Sequence, residues 1–496
     1  MSAYLSKSRV IKGMQCHKAL WLLTNRPELK DPILPDRQSA FDSGHDVGAL
    51  AQRLFPNGVE VPFDGVTLTE QIKITRELID SGVETIFEAA FSFGNVFVKA
   101  DILHRVADSW QLWEVKASTE AKEHYLNDVA VQYHVISGCG LPVVSAGLVL
   151  INTEYVRTDE IEPRKLFNVV DVTEDICAHQ PEIIKEITAQ RTMLAGPEPS
   201  IDIGPYCSDP YDCNFIGHCW AHIPENSVFE FRDHGRPDAF KLYRQGIVLM
   251  EEVPSKFLGW RQQMQVNGIN NEENVINHGE LKDFLTALIY PLSFLDFETT
   301  CLTPVPLFDG TSPYQKVPFQ LSLHIRKRPE AEVAHHQFLA NGACDPRGSF
   351  TNALLSMLPT KGSIVTWNKG FEAGIIRQLA EMFPKRRNEL LALNERMVDL
   401  MAPFRRKNFY HGQMNGSYSL KAVLPALAPE LSYDEMPICS GDQASAAWLA
   451  MRENTDPDEV ARLRNELLTY CHLDTLAMVK ILDKIVQALA AEPPVA

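Results

Sequence analysis

Two carboxylates stand two positions apart at the end of an apolar run, in the sequence Pro-Leu-Ser-Phe-Leu-Asp-Phe-Glu at residues 291–298. Alternate side chains of a β-strand point to the same face, so Asp296 and Glu298 are expected to project together. Two buried carboxylates repel each other and are costly to desolvate unless a cation binds between them. The pair therefore predicts a divalent-metal site. Taken alone, it also fits two ordinary acids at a solvated strand end.

The C-terminal part of the chain offers further oxygen ligands. Glu372 stands at the start of a predicted helix, and Asp474 lies in a long helix predicted over residues 456–487. Tyr470 precedes Asp474 by four residues, which places both side chains on one helix face. Asp399, at the end of a predicted apolar strand, is an additional candidate ligand. Oxygen ligands of this kind favour Mg²⁺ or Mn²⁺.

A second set of charged residues lies on predicted strands in the N-terminal part. Three strand patterns follow one another within residues 85–117, separated by turn residues, and predict an antiparallel meander. Asp101 lies on the second strand, and Glu114 and Lys116 share one face of the third. In metal-dependent hydrolysis, such acids hold a cation while a lysine positions water or stabilises charge on the phosphate. The ordinary alternation of an amphipathic strand would give the same Glu-Val-Lys pattern.

Three cysteines are separated by five residues each in a loop rich in proline and glycine: Cys207, Cys213 and Cys219. Thiols clustered in a loop are not typical of core packing, and their thiolates favour a soft metal centre. Three ligands are one short of a full set, and Cys16 is the candidate fourth. Zinc is the alternative occupant, although the short Cys-x2-Cys pairs that are usual for zinc do not occur in this loop.

The composition indicates a globular protein with more than one domain. The chain has 496 residues, of which 45% are hydrophobic and 22% charged. We predict an α/β protein with an N-terminal domain over residues 1–225, a largely helical connector over 226–290 and a C-terminal domain over 291–490. Ten cysteines are too few for a disulfide scaffold. The net charge of −17 argues against a broad, non-specific nucleic-acid surface.

Location and two local structures can also be predicted. The sequence has neither an apolar run long enough to span a membrane nor a secretory signal at its start, so we expect a cytoplasmic protein without membrane contact. Within residues 6–24, Gly13 predicts a break between two helices, the second beginning at Cys16. In the connector, the asparagine-rich stretch Asn267–Asn274 predicts a turn.

The N-terminal residues, taken in order, resemble the iron–sulfur branch of the RecB-type nucleases, which includes the CRISPR-adaptation nuclease. The residues that carry this resemblance are Cys16, Asp101, Glu114-Val115-Lys116, Gln132-Tyr133, Cys207, Cys213 and Cys219. The resemblance implies a restriction-endonuclease-like PD-(D/E)XK fold and a [4Fe–4S] cluster bound by the four cysteines. It also implies a divalent-metal site formed by Asp101 and Glu114, with Lys116 and Gln132 as catalytic residues.

One position departs from the pattern of that branch. The family places a metal-binding histidine at the end of a Gly-x-x-x-His motif. In this chain Gly44 is followed at that spacing by Gly48, and His45 comes three residues early. The departure leaves the activity of the N-terminal domain open.

The C-terminal residues resemble the DEDD exonucleases, in their tyrosine variant, on an RNase H-like mixed-sheet fold. The residues that carry the resemblance are Asp296, Glu298, Glu372, Tyr470 and Asp474. It implies two cations about 3.5–4 Å apart that clamp the attacking water and the leaving 3′ oxygen, with Tyr470 orienting the water. The family's second motif ends in aspartate, whereas Asn368-Lys369-Gly370-Phe371-Glu372 ends in glutamate. The combination of both halves also resembles a bacterial family of uncharacterised predicted nucleases.

These patterns together predict a metal-dependent nuclease. We expect it to hydrolyse phosphodiester bonds of DNA, with RNA as the other candidate substrate, and to act from 3′ ends through the C-terminal domain. Its expected partner is therefore a nucleic acid. The alternative is a nucleic-acid-binding or assembly module in which one or both sites have lost turnover.

Overall fold

The computed structural model describes residues 4–32, 46–271, 274–300, 303–434 and 436–491. The chain divides into two compact units. Unit 1 comprises Met1–His222 together with Leu302–Gln315, and unit 2 comprises Ile223–Cys301 together with Lys316–Ala496. Both units combine helices with mixed sheets, which confirms the α/β class. Among the residues described, we find no helix with the length and apolarity needed to cross a bilayer.

Unit 1 is built on a seven-stranded sheet. Its strands are β1 (Leu5–Ser6), β2 (Val59–Glu60), β3 (Thr85–Phe93), β4 (Val96–Val106), β5 (Ser109–Lys116), β6 (Val143–Ile151) and β7 (Phe167–Asp171). They are ordered β2-β3-β4-β5-β6-β7, and β1 also pairs with β4. Strand β4 runs antiparallel to both β3 and β5, which confirms the predicted meander, and β6 is parallel to β5.

Several helices of unit 1 surround the strands or pack on one another. They are α1 (Lys7–Gln15), α2 (His17–Asn25), α3 (46–52), α4 (Leu68–Asp80), α5 (Glu123–Gly138), α6 (Pro163–Leu166), α7 (Thr173–Leu194) and α8 (Ile216–Cys219). The main core lies between the sheet and α5, whose Val129, Ala130 and Val131 are fully buried. Short 3-10 turns occupy Pro27–Leu29 and Pro205–Cys207.

The predicted helix break at Gly13 is wrong. Gly13 lies inside α1, and the chain leaves the helical conformation at Cys16, with φ −161° and ψ 118°, before α2 begins. Gly13 instead allows α1 and α7 to approach closely, because a Cβ at this position would collide with the side chain of Gln190 on α7. The glycine therefore permits helix packing, while the extended Cys16 redirects the chain.

Residues 303–315 belong to unit 1 although they directly follow β9 of unit 2 in the chain. The amide of Arg157 donates to the carbonyl of Thr311 at 3.0 Å, and the amide of Gly310 donates back to Arg157 at 2.8 Å. Val305 and Tyr314 pack against a small core of unit 1 that includes side chains of β3, β4, β5 and β6. This segment completes the apolar packing on that part of the sheet.

Unit 2 contains a five-stranded sheet and a separate two-stranded ribbon. The strands are β8 (Val275–Ile276), β9 (Leu292–Thr299), β10 (Pro318–Arg326), β11 (Val333–Leu339), β12 (Ile364–Thr366), β13 (Met397–Asp399) and β14 (Phe409–Tyr410). The large sheet is ordered β11-β10-β9-β12-β13, and β14 pairs with β8. Strand β9 lies at the centre, antiparallel to β10 and parallel to β12.

The helices of unit 2 lie on both faces of the large sheet and in the segment before it. They are α9 (Ala239–Arg244), α10 (Trp260–Asn271), α11 (His278–Thr286), α12 (Arg347–Met357), α13 (Lys369–Met382), α14 (Arg387–Glu395), α15 (Ala402–Arg405), α16 (Leu420–Leu427), α17 (Gly441–Glu453) and α18 (Pro457–Ala490). Helix α10 continues to Asn271, so the turn predicted at Asn267–Asn274 is wrong in its first half.

The two faces of β9 have different partners. Leu295 and Phe297 point into the core with α12 and α13, where the rings of Phe297 and Phe350 lie 5.0 Å apart. Asp296 and Glu298 point the other way, towards α18. This helix begins with Asp456 as its N-cap and Pro457 in the first turn, a favourable start because proline has no amide to leave unpaired.

Candidate metal-dependent active site

Four carboxylates from three separate elements line one cavity of unit 2. Asp296 and Glu298 come from β9, Glu372 from the first turn of α13, and Asp474 from α18. The cavity has a volume of about 370 Å³, and Tyr470 is part of its wall. Residues far apart in the sequence thus meet at one place, which the spacing of Asp296 and Glu298 alone could not establish.

Glu372 reaches the cavity because β12 ends at Thr366 and the chain turns through Trp367 and Asn368 into α13. Its side chain is buried, and Oε2 has no hydrogen-bond partner. Burial raises the pKa of Glu372 to about 8, with the nearby charge of Asp399 adding to the shift. A buried carboxylate oxygen without a donor is costly in this environment, and a cation would compensate it.

Helix α18 presents Tyr470 and Asp474 on the same face, one turn apart. The hydroxyl of Tyr433 donates a hydrogen bond to Oδ1 of Asp474 at 2.6 Å. Burial raises the pKa of Asp474 to about 6, although hydrogen bonds from Tyr433 and Tyr470 and the charge of Lys421 oppose the shift. Tyr433 has no sequence signal of its own, since it lies in a stretch without a motif.

The charges at this site are poorly compensated. Among the described residues, no lysine or arginine hydrogen-bonds to Asp296, Glu298, Glu372 or Asp474. Burial, followed by the charges of Asp474, Glu298 and Glu372, raises the pKa of Asp296 well above its usual value. The pKa of Glu298 is raised by burial and by Asp474. Shifts of this kind are expected where carboxylates share a site.

Other groups reach the carboxylates from outside the predicted motifs. Lys421, at the start of α16, lies near Glu298 and Asp474 and donates to the carbonyl of Cys439. The thiol of Cys471 lies 3.6 Å from Oδ2 of Asp296. A Cβ on Gly441 would lie 3.6 Å from Oε2 of Glu298, so the N-terminus of α17 faces this carboxylate and its dipole favours the negative charge.

Asp399, the additional candidate ligand, ends β13 and does not line the cavity. Its Oδ1 accepts from the amide of Met401 at 3.1 Å, and its Oδ2 pairs with Arg405 at 3.3 Å. The negative charge of Asp399 raises the pKa of Glu372. Its own oxygens already have protein partners.

In unit 1 the predicted residues also come together. The register of β4 and β5 pairs Ile102 with Trp113, which brings Asp101 and Glu114 next to each other, and the amide of Val115 donates to Asp101 at 2.7 Å. The ammonium of Lys116 lies 2.8 Å from Oε1 of Glu114. Gln132, from α5, donates to the other oxygen of Glu114.

Two further residues of unit 1 change the charge of this site. Lys7 of α1 donates to Oε1 of Glu114 at 2.7 Å, and Lys116 also pairs with Asp128 of α5 at 2.6 Å. Burial by itself would raise the pKa of Glu114, but Lys7 and Lys116 hold it well below its usual value. Burial and the charge of Glu114 raise the pKa of Asp101 to about 7. Lys7 lies more than one hundred positions from Glu114, so local spacing gave no signal for it.

The four cysteines predicted as ligands line one pocket of unit 1: Cys16, Cys207, Cys213 and Cys219. The amide of Cys213 donates to the carbonyl of Cys207 at 2.7 Å. The side-chain amide of Gln15 donates to the carbonyls of Tyr206 and Tyr211, at 2.9 and 2.6 Å. The loop is thereby attached to the end of α1, beside Cys16. Burial raises the pKa of the Cys213 and Cys219 thiols.

The chemistry of each donor set differs. The cavity of unit 2 offers carboxylate oxygens, which suit hard divalent cations such as Mg²⁺ and Mn²⁺. The cysteine pocket offers sulfur donors, which suit an iron–sulfur or zinc centre. The Gly-x-x-x-His motif has Gly48 in place of its histidine in this chain. Gly44 and His45 lie outside the described residues, and Gly48 is within α3.

Comparison with known families gives one match. Residues 293–419 match the model of a domain of unknown function, DUF2779. The matched stretch contains Asp296, Glu298 and Glu372 and ends before α18, which carries Tyr470 and Asp474. A search of curated proteins gave no match.

Proposed function

We propose that unit 2 is a metal-dependent nuclease domain that removes nucleotides from the 3′ end of DNA, with RNA as the second candidate substrate. The observation that carries this proposal is the convergence of four poorly compensated carboxylates on one cavity, namely Asp296, Glu298, Glu372 and Asp474. Such a group is stable only when protonated or when it binds cations. Phosphodiester hydrolysis needs no organic cofactor, which agrees with a site built from carboxylates.

The sheet supports an RNase H-like assignment for unit 2. Strand β9 carries two of the acids at the centre of a mixed five-stranded sheet, and β12 leads directly into the helix that carries Glu372. The remaining acid and Tyr470 come from the last long helix. This order of strand, helix start and late helix is the order that the DEDD resemblance implies.

The four carboxylates would hold Mg²⁺ or Mn²⁺, because the donor atoms are oxygens and Glu372 has an unpaired buried oxygen. When bound, such cations activate water and stabilise the charge that develops in phosphodiester hydrolysis. Tyr470, which stands beside Asp474 in the cavity wall, would orient the attacking water through its hydroxyl. Trp367 and Phe371 in the same wall would contact a terminal base by stacking.

For unit 1 we propose a PD-(D/E)XK-type fold that carries a [4Fe–4S] cluster. The antiparallel meander with Asp101, Glu114 and Lys116 supports the fold assignment. The four thiols in one pocket support the cluster, since all of its expected ligands are present. The cluster would cross-link Cys16 to the loop over residues 207–219.

A specific observation favours a binding role for unit 1 rather than turnover. Both oxygens of Glu114 are already occupied, by Lys7 and Lys116 on one side and by Gln132 on the other. A cation would have to displace these donors before it could bind there. We therefore propose unit 1 as a nucleic-acid-binding platform and unit 2 as the centre of hydrolysis.

The proposal can be tested with single- and double-stranded DNA and RNA, labelled at either the 3′ or the 5′ end. The full chain should release labelled mononucleotides from 3′-labelled substrates in Mg²⁺ or Mn²⁺, and shorten 5′-labelled substrates stepwise. A chelator should stop both reactions. Binding of the same oligonucleotides, measured by fluorescence anisotropy without metal, separates the alternatives: substrates that bind but are never cut with either metal would favour the binding module and overturn the nuclease.

A further inference from the structure

Three histidines of unit 2 converge on one point beside the carboxylate cavity. His324 on β10 and His335 on β11 are direct cross-strand partners, and His472 comes from α18. One potential ligand atom of each lies within 4.8 Å of those of the other two. None of the three belongs to the carboxylate motifs, and their sequence spacing gives no sign of this meeting.

The three imidazole rings lie close together. Ring centroids are 4.5 Å apart for His324 and His335, 4.9 Å for His324 and His472, and 4.3 Å for His335 and His472. In a tetrahedral zinc site with Zn–N distances of about 2.0–2.1 Å, the nitrogens are about 3.4 Å apart. Small side-chain rotations would therefore bring the three rings to ligand distance.

Hydroxyl groups hold two of the rings in place. Thr475 Oγ1 lies 2.9 Å from Nδ1 of His324, and Ser322 Oγ lies 3.0 Å from Nε2 of His335. The two hydroxyls are themselves 2.7 Å apart. Each contact occupies one ring nitrogen, Nδ1 of His324 and Nε2 of His335, and within the described residues the second nitrogen of each ring has no hydrogen-bond partner. Histidines that bind metals characteristically have such a partner on the second nitrogen.

We propose that His324, His335 and His472 bind a transition-metal dication of the zinc class. Neutral imidazoles are suitable ligands for such ions, whereas Mg²⁺ prefers oxygen, so this site and the carboxylate cavity would select different metals. Burial lowers the pKa of His324 to about 3 and that of His335 to about 4, which keeps both rings neutral at physiological pH. Three protein ligands leave a fourth coordination position, and both His335 and His472 are partly exposed to solvent.

Binding at this site would fasten α18 to the edge of the sheet. His472 lies between Tyr470 and Asp474 in sequence, and its two partners lie on neighbouring strands. An ion held by all three residues would restrict sliding and rotation of the helix. The residues are therefore expected to act by positioning α18 and not by contacting substrate.

The test compares the full-length wild type with His335→Gln and His336→Gln. His336 is the next residue of β11, is exposed and points to the opposite face, so it is a matched control. Zinc bound per chain is measured by equilibrium dialysis and mass spectrometry in excess Mg²⁺. The cysteines are unchanged in all three proteins, so their contribution cancels. Wild type and His336→Gln should bind one more zinc per chain than His335→Gln, and equal zinc content in all three would overturn the proposal.

Two further measurements guard against a variant that folds poorly. Zinc at about one hundred times its Kd should raise the melting temperature of wild type and of His336→Gln by about 5 °C more than that of His335→Gln. X-ray absorption of zinc-loaded wild type should show imidazole scattering. If that spectrum contains no imidazole, the site is disproved whatever the variants do. None of these readouts depends on nuclease activity.

Discussion

The carboxylates of unit 1 and those of unit 2 differ in how their negative charge is balanced. In unit 1, Lys7, Lys116 and Gln132 hydrogen-bond to both oxygens of Glu114. In unit 2, four acids face one cavity with no lysine or arginine hydrogen-bonded to them among the described residues, and Glu372 retains an unpaired oxygen. A protein that supplies its own cations forms a stable ion-pair network. One that leaves its acids unpaired requires protons or metal ions.

This difference in charge balance explains why we expect metal binding at the acids of unit 2 but not at those of unit 1, although the motifs are similar. Ion pairing lowers the pKa of Glu114, whereas burial and mutual repulsion raise the pKa values of Asp296 and Glu298. The presence of acids at the right spacing thus does not by itself predict a metal centre. The residues that the fold places beside those acids decide whether the binding of a metal cation is favourable.

The largest expected effect is a loss of 3′-end trimming, tested by making the same aspartate-to-asparagine substitution in each unit. Asp296→Asn should reduce 3′-end trimming by at least about 10³-fold, because it removes a charged ligand while preserving side-chain size. Asp101→Asn in unit 1 should leave trimming unchanged. Release of mononucleotides from a 3′-labelled oligonucleotide measures both. Trimming by Asp296→Asn at the wild-type rate would contradict the role assigned to unit 2, and a comparable loss in Asp101→Asn would remove the contrast between the units.

The second effect concerns the sulfur ligands, which only unit 1 is proposed to use. Anaerobically purified protein should be brown and contain about four irons per chain. Cys213→Ala should lose the iron and lower the melting temperature of unit 1, since the cluster links segments nearly two hundred residues apart. Cys177→Ala, which changes an exposed thiol on α7, is the control. Stoichiometric zinc without iron in wild type would identify a different centre.

A smaller effect should appear in the pH dependence of stability without metal. Burial raises the pKa of Glu372 to about 8 and that of Asp474 to about 6, above their values in an unfolded chain. These two carboxyl groups therefore bind more protons in the folded state than in the unfolded state between about pH 5 and pH 8. Below about pH 6.5 the lowered pKa values of His324 and His335 act in the opposite direction. The free energy of unfolding should therefore fall as pH rises from about 6.5 to 8, by up to about 1.4 kcal/mol per pH unit for each carboxyl group that is protonated only in the folded state.

Urea unfolding in a chelator, from pH 5 to pH 8, measures this dependence. Glu372→Gln should flatten the slope between pH 6 and pH 8, because a carboxyl group with a pKa of about 8 is then missing. Glu381→Gln, an exposed glutamate on the same helix, should retain the wild-type slope. Identical slopes for wild type and Glu372→Gln would show that this carboxylate is not protonated in the folded protein.

The smallest effect separates the two tyrosines near Asp474. Tyr470→Phe should reduce trimming by about 10- to 100-fold, since it removes a water-orienting hydroxyl but no metal ligand. Tyr433→Phe should have a smaller effect, because Tyr433 donates to Asp474 and is proposed only to hold it in place. Initial rates at saturating Mn²⁺ distinguish them. The assignment of Tyr470 would be wrong if Tyr433→Phe were the more damaging change.

Local sequence patterns predicted much of the framework. Strand patterns separated by turn residues predicted β3, β4 and β5, and an apolar run ending in two carboxylates predicted β9. The four-residue spacing of Tyr470 and Asp474 predicted their common helix face. These patterns succeed because strand and helix periodicity depend on neighbours in the chain. The helix break was misplaced at Gly13, because glycine weakens a helix in general but here allows close packing against Gln190.

The residues that were not predicted come from distant parts of the chain. Lys7 contacts Glu114, Tyr433 contacts Asp474, and the histidines meet across two strands and a helix. The sequence periodicity of a single helix or strand gives no information about such contacts. They depend on strand register and helix packing, which are properties of the whole fold. The charge balance that separates the two units was therefore beyond the reach of motif spacing.

The assignment of residues 303–315 to unit 1 has a consequence for how the protein is made. Val305 and Tyr314 complete a core that begins with strands made much earlier in synthesis. During translation, unit 1 cannot reach its final packing until β9 of unit 2 and the segment after it have left the ribosome. Cutting the chain near residue 225 would likewise leave an N-terminal fragment without this part of its core, so no single cut divides the chain into its two units.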